Sequence, residues 1–186
     1  MRVIAGTVRG HTLKAPKGLN TRPTLDRVRE AIFNVITLHI HDAVVLDLFS
    51  GSGAMGIEAL SRGAASCVFA DNSRHAMQVI KENLTHTKLE SKATVFNMDA
   101  SQLLNLLQAD AKATFDLVFL DPPYQSGVYE AILSKLSLGK LLNKAALVIT
   151  ESNTKLELKD RYEALQMIKQ SRYGDTLVSY YKNLEE

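Results

Sequence analysis

Apolar positions in the first forty residues follow a helical period: Leu25, Val28, Ile32, Val35 and Ile36 line one face, with Thr24 placed to cap it and Asp26 in the first turn. Ahead of that helix, Arg2 to about Lys14 reads as a short strand pair turning at Arg9-Gly10. A loop over Lys17–Pro23 follows, set by its Gly, Asn and Pro content. From residue 43 the pattern changes to short β-branched runs alternating with helical stretches. The predicted strands are Val44–Leu48, Cys67–Ala70, Ala93–Asn97, Leu117–Leu120 and Ala146–Thr150, and the predicted helices lie near 55–62, 73–86, 100–108 and 128–138. Near-continuous apolar strands separated by helices imply a parallel sheet covered on both faces. The rhythm breaks at the end, where Tyr162–Tyr173 and Thr176–Tyr181 flank Gly174-Asp175, a hairpin signal. The expected α/β architecture is a mostly parallel seven-stranded sheet closed by an antiparallel hairpin, spanning 43–186. Residues 1–42 form an extension of hairpin, loop and amphipathic helix.

Asp47-Leu48-Phe49-Ser50-Gly51-Ser52-Gly53-Ala54-Met55-Gly56 ends the first core strand and opens a helix. Glycine permits positive φ and close backbone approach, and a helix N-terminus offers free N–H groups to an anion. Gly51, Gly53 and Gly56 also fit the dinucleotide fingerprint, with Asp71 placed to grip ribose hydroxyls. That acid serves a nicotinamide cofactor or S-adenosylmethionine equally. Asp47 separates the two readings, since a carboxylate suits an amino acid's ammonium and not a pyrophosphate. Farther on, Asn97-Met98-Asp99-Ala100 closes the third strand on the same crevice. Asp99 can accept a hydrogen bond from an adenine amine while Met98 packs on the ring, and Asp99 can also cap the helix that starts there.

Leu117-Val118-Phe119-Leu120 runs into Asp121-Pro122-Pro123-Tyr124. An exocyclic base amine is a poor nucleophile because its lone pair is delocalised into the ring. It must be held so that the nitrogen can pyramidalise and lose a proton. A carboxylate accepts one N–H, a carbonyl fixed by consecutive prolines accepts the other, and an aromatic ring stacks on the base. The tetrapeptide supplies each part, with Asp121, Pro122 and Tyr124 as the catalytic candidates.

Composition changes this picture in one respect. Residues 1–29 carry seven Lys/Arg against the single acid Asp26, whereas the rest holds 15 basic and 19 acidic residues. A basic arm on a mildly acidic body points to a polyanion contacted from the N-terminal side, with Arg2, Arg9, Lys14, Lys17, Arg22, Thr24 and Arg29 as candidate contacts. The lone Cys67 sits in an apolar run as a structural thiol, and the five histidines are scattered without metal-ligand spacing. No apolar run reaches membrane-spanning length and no signal peptide is apparent, so a cytoplasmic protein, a monomer, without a metal is expected.

With these motifs assembled in order, the chain resembles a known bacterial family. The carriers are Arg22-Pro23-Thr24, Arg29-Glu30-Ala31-Ile32-Phe33-Asn34, Asp47 to Gly53, Glu58-Ala59-Leu60-Ser61-Arg62-Gly63-Ala64 and Leu120-Asp121-Pro122-Pro123-Tyr124. They are similar to the 16S ribosomal RNA guanine-N2 methyltransferases that modify nucleotide 966, enzymes of the class I S-adenosylmethionine-dependent, Rossmann-like fold. The likeness covers nearly the whole chain; Ala70-Asp71 departs from a Val-Glu-like pair but keeps the acid. It implies that Asp47, Phe49, Gly51, Ser52 and Gly53 cradle the methionine part of the donor. Asp71 and Asn72 would meet the ribose, and Met98, Asp99 and Ala100 the adenine. Asp121, Pro122 and Tyr124 would hold a guanine of the small ribosomal subunit. Two other readings stand beside it: an N6-adenine methyltransferase with the same Asp-Pro-Pro-Tyr chemistry, and a non-catalytic RNA-binding assembly factor on the same fold.

Overall fold

The computed structural model describes residues 1–16, 23–110, 113–122 and 126–185, without the side chains of 23–25 and 126. Lys17, Arg22 and Tyr124, and the side chain of Thr24, lie outside the described residues. Helix α1 (Pro23–Val35) leads into strand β1 (Val44–Leu48), helix α2 (Ala54–Ser61), strand β2 (Ser66–Ala70) and helix α3 (Arg74–Thr87). Strand β3 (Ala93–Phe96), helix α4 (Ala100–Gln108), strand β4 (Phe115–Leu120) and helix α5 (Ser126–Leu138) continue the alternation. The chain ends in strands β5 (Leu142–Asn153), β6 (Arg161–Tyr162), β7 (Leu165–Tyr173) and β8 (Thr176–Asn183).

One sheet joins all eight strands in the order β3-β2-β1-β4-β5-β8-β7-β6. β3 through β5 pair in parallel, while β8, β7 and β6 pair antiparallel. The sheet has one strand more than expected because Tyr162–Tyr173 is not continuous: Glu163 takes φ 49° and splits off the two-residue β6. The final hairpin turns at Gly174-Asp175, with Gly174 at φ 63° and Tyr173 opposite Thr176. The strand order reverses between β1 and β4. In an open α/β sheet, that switch point opens a crevice at the carboxyl ends of the strands.

Period-two alternation sorts the core into two layers. Val45, Leu117, Phe119, Leu147 and Ile149 face α1, α2 and α3, packing with Ile32, Phe33, Ile57 and Ile80. Leu46, Leu48, Val118, Leu120 and Val148 face the opposite way, against Leu103, Leu104, Ile132 and Leu133 of α4 and α5. On α1 the buried stripe is Val28, Ile32 and Phe33, continued by Ile36 just past its end; Val35, expected on it, is 38% exposed.

The N-terminal segment keeps the base of the expected strand pair but not two full strands. Arg2 and Thr12 form an isolated antiparallel bridge, flanked by Val3 N–H to the His11 carbonyl and Leu13 N–H to the Met1 carbonyl, each at 3.0 Å, and the chain between them arches over α2. Beyond that base, backbone donors go to side chains of α2: Ile4 and Ala5 N–H donate to the two Glu58 carboxylate oxygens at 2.8 and 3.0 Å. Ser61 Oγ donates to the Ala5 carbonyl at 2.6 Å, and Thr7 N–H donates to the Ser61 carbonyl. Gly6 crosses α2 at φ 86°, where a Cβ would lie 1.9 Å from the Ser61 carbonyl oxygen. Only glycine permits that approach. Among the described residues no helix is long and apolar enough to cross a membrane.

Candidate active site at the strand switch point

The glycine loop leaves β1 through three closely spaced adjustments. Phe49 takes φ 59°, Gly51 56° and Gly53 76°, so the chain doubles back before entering α2. Ser50 fastens the diverging strands: its Oγ lies 2.6 Å from the Asp47 carbonyl it donates to and accepts the Ala70 N–H at 3.0 Å. Gly56 does separate work inside α2, where a Cβ would stand 2.3 Å from Phe69 and 2.6 Å from the Cys67 sulfur. The helix therefore packs directly on β2, as close helix–strand packing at this position requires. Cys67 is buried and serves packing.

Asp47 is 3% exposed and its Oδ2 accepts the Gly56 N–H at 3.0 Å. Burial pushes its carboxyl up to about 7, the Gly56 hydrogen bond pulls the other way, and the charges of Asp121 and Asp71 push it farther up. An acid held in this condition favours an arriving cation. Asp71 ties the loop to β2: Oδ2 accepts the Gly51 N–H and Oδ1 the Ser73 N–H, both at 2.9 Å. A carboxylate has about four acceptor sites, so two remain. Asn72 beside it is exposed, and Asn97 donates to the Asp71 carbonyl at 3.0 Å.

Asp99 caps α4, its Oδ1 accepting the Ser101 N–H at 2.8 Å. It also lines, with Phe49, Ala100, Val128 and Ile132, a cleft of about 190 Å³. That is small beside the roughly 300–1,000 Å³ of a pocket for a whole drug-sized ligand, and suits one ring system. Met98 is half-buried against the same layer. A larger hollow of about 280 Å³ by His41, Asp42, Asp116 and Lys144 lies at the amino ends of β1, β4 and β5, away from the crevice. Asp116 is a structural staple there, accepting the Val44 N–H at 2.8 Å and the Asn143 amide at 2.7 Å.

Asp121 and Pro122 follow β4 immediately, beside β1 across the switch point. Asp121 opens to solvent and Pro122 is buried. The protein around Asp121 desolvates it enough to raise its carboxyl above the ordinary range. One group in this crevice gave no sequence signal. Glu151 follows Thr150, which pairs with Leu120, so its carboxyl comes level with Asp121 on the next strand. Burial and then the charge of Asp121 raise it, while Arg29 lowers it. Nothing in the run Val148-Ile149-Thr150-Glu151 marks it; only strand register places it.

The basic arm divides. Arg2 and Arg9 are exposed, and Lys14 is exposed but paired with Glu82 at 2.8 Å. Arg29 corrects the expectation of an RNA contact. It is 4% exposed, donates to the Arg2 carbonyl and to Asp26, and sits 3.9 Å from Glu58. It precedes the buried Ile32 and Phe33 by three and four residues on α1, which places it on the inward face of that helix. Arg29 therefore secures the arm rather than the surface. Glu58, fully buried, is the matching anchor and also accepts from Arg62 at 2.7 Å.

Known proteins agree with this architecture. A Bacillus subtilis protein named "Putative rRNA methyltransferase YlbH" is 40% identical over 182 residues, covering 98% of both chains. The Escherichia coli K12 "Ribosomal RNA small subunit methyltransferase D" is 39% identical over 152 residues, 82% of this chain and 74% of that one. A solved structure titled "Putative methyltransferase yhhF from Escherichia coli" superposes with a TM-score of 0.87 at 34% identity, covering 100% and 99% of the two chains. The fold also matches a Salinibacter ruber RNA methyltransferase solved with S-adenosyl-L-homocysteine, at a TM-score of 0.66 and 16% identity over 89% and 95% of the chains. Residues 1–182 match the family model described as "Conserved hypothetical protein 95", and the chain belongs to that family.

Proposed function

We propose that this protein transfers a methyl group from S-adenosylmethionine to the exocyclic N2 amine of a guanine in small-subunit ribosomal RNA, the position corresponding to nucleotide 966 of 16S RNA. One observation carries the reading: Asp121 and Pro122 end β4 directly beside the strand whose end holds Asp47 and the glycine loop. A base amine and a donor therefore meet at the switch point. The names of the relatives above supply the ribosomal substrate.

The residues present suit the donor. Asp47 would meet its ammonium, Gly51, Ser52 and Gly53 its carboxylate at the start of α2, and Asp71 with Asn72 its ribose. Phe49 lines the cleft of Asp99 and Ala100, so it would stand by the adenine with Met98 rather than by the methionine end. When bound, the donor supplies a methyl on a cationic sulfur. Asp121 accepts one amine N–H and the Pro122 carbonyl the other, which frees the nitrogen lone pair toward that methyl. As the N–C bond forms and the C–S bond breaks, one amine proton leaves through Asp121 to solvent. Tyr124 would stack on the base, and Arg2, Arg9 and Lys14, with Lys17, Arg22 and Thr24, would hold RNA phosphates. A ribosomal RNA target places the reaction in the cytoplasm.

The test is to incubate purified protein with labelled S-adenosylmethionine and small subunits from cells lacking this gene, then to digest the RNA. N2-methylguanosine is expected. N6-methyladenosine would keep the chemistry and overturn the substrate. No incorporation, with RNA binding intact and the Asp121→Ala variant fully functional in cells, would leave an assembly factor.

A further inference from the structure

We propose that Glu151 accepts the N1–H of the target guanine while Asp121 holds its N2 amine, making Glu151 the residue that selects guanine over adenine. The inference rests on the guanine reading above and deepens it.

An Asp-Pro-Pro-Tyr end holds an exocyclic amine but does not by itself distinguish guanine N2 from adenine N6. The difference lies one ring atom away. Guanine carries a hydrogen on N1, next to the N2 amine, whereas adenine presents a bare acceptor at N1 beside its N6 amine. A second acceptor adjacent to the one that holds the amine would therefore attract guanine and repel adenine.

Strand register supplies that second acceptor. Leu120 pairs with Thr150, so Asp121 and Glu151 each follow the last registered pair of two neighbouring parallel strands, whose usual spacing is about 4.8 Å. Phe119 and Ile149 face the α1 layer, and two residues farther along both carboxyl groups fall on that same side. The other acids of the crevice already have backbone donors: Asp47 from Gly56, and Asp71 from Gly51 and Ser73. Among the described residues, none donates a hydrogen bond to the carboxyl group of Asp121 or of Glu151. Asp121, open to solvent, and the half-buried Glu151, both without donors among the described residues, stand side by side where the amine-bearing edge must lie. Guanine offers an N1–H and two N2–H along that edge, which Glu151, Asp121 and the Pro122 carbonyl can accept. Glu151, raised to about 8, must give up its proton to discriminate, since only the carboxylate sets a lone pair against adenine N1. The Glu151 main chain is fixed by the Tyr129 hydroxyl, which donates to its carbonyl at 2.6 Å. The competing role for Glu151 is to balance the charge of Arg29.

2-Aminopurine separates these roles, because it keeps the amine at C2 but has no hydrogen on N1. Small-subunit RNA carrying 2-aminopurine at the target nucleotide, made by splinted ligation and assembled into subunits, would be compared with the guanine form by kcat/KM. The wild-type protein should prefer guanine by at least about tenfold, as a site built around a substrate N–H rejects an analogue without it. Glu151→Ala should lower the guanine value by about tenfold or more and leave the 2-aminopurine value within about twofold, collapsing the preference. That differential also removes the contribution of the O6 atom missing from 2-aminopurine. Glu151→Met, which keeps the volume, serves the same purpose if the alanine variant does not fold, and Glu151→Gln, whose amide can turn its NH2 toward a bare N1, should narrow the preference. Variants that lower both substrates alike would assign Glu151 to Arg29 alone and overturn the proposal. Equal wild-type use of both bases would also overturn it. A wild-type product other than N2-methylguanosine on unmodified subunits would remove the guanine reading first, before any Glu151 variant is measured.

Discussion

The Asp47 carboxylate at the end of β1 accepts a hydrogen bond from the Gly56 backbone N–H, nine residues on, at 3.0 Å. This bond holds an almost fully buried acid against the first turn of α2. It does not cancel the cost of burial, which raises the carboxyl from 3.8 to about 7. The folded state therefore binds a proton that the unfolded state releases near pH 4. The Asp47 contribution to the stability of the ligand-free protein is fully present below that pH and is lost as pH rises through about 7. The rise of about three units bounds the effect at roughly 4 kcal/mol. Asp47→Asn keeps an acceptor for Gly56 without the charge. The variant should melt higher than the wild type at pH 8 and lose that advantage at pH 5, by thermal unfolding across pH, while its affinity for S-adenosylmethionine falls steeply.

Donor binding should show the reverse pH dependence. The donor ammonium favours the ionised Asp47, so wild-type affinity should rise between pH 6 and 8, measured by calorimetry. The slope should be much shallower in Asp47→Asn.

Gly56→Ala would place a methyl 2.3 Å from Phe69 and 2.6 Å from the Cys67 sulfur. Ring and strand must shift to admit it, at about 1–3 kcal/mol. For a chain of this size that corresponds to a drop in Tm of roughly 2–12 °C. A variant as stable as the wild type would show that α2 can lift from β2 freely.

Glu58 joins the N-terminal arch to the body, accepting from Ile4, Ala5 and Arg62. Glu58→Ala leaves these donors without their acceptor and removes one of the two acids beside the buried Arg29, at about 3–5 kcal/mol. Hydrogen exchange should show the Ile4 and Ala5 amides losing protection before the strands β1 and β4 do.

The two kinds of arginine in the arm should respond differently. Arg2→Ala and Arg9→Ala, at exposed positions, should weaken RNA binding and each lower the salt slope by about one. Arg29→Lys should leave that slope nearly unchanged and lower Tm, because its buried guanidinium serves Asp26 and the Arg2 carbonyl.

Periodicity and turn chemistry determined much of this protein from the sequence alone. The strand–helix alternation, the hairpin at Gly174-Asp175 and the motif at the end of β1 depend on neighbours within a few residues, where backbone preference and hydrophobic spacing act directly. Asp121-Pro122 was legible for the same reason, because its chemistry is contiguous. Tertiary structure decided what depends on residues far apart in the chain. The inward turn of Arg29 depends on Glu58 and on the carbonyl of Arg2. The N-terminal hairpin that local signals suggested is paired only at its base, because α2 side chains take the Ile4 and Ala5 donors that a longer ladder would use. Glu151 is brought beside Asp121 by the pairing of β4 with β5 across 30 residues of chain, and its desolvation follows from that packing. A carboxyl group's charge state and neighbours are set by what surrounds it in space, which hydrophobic pattern along the chain does not encode.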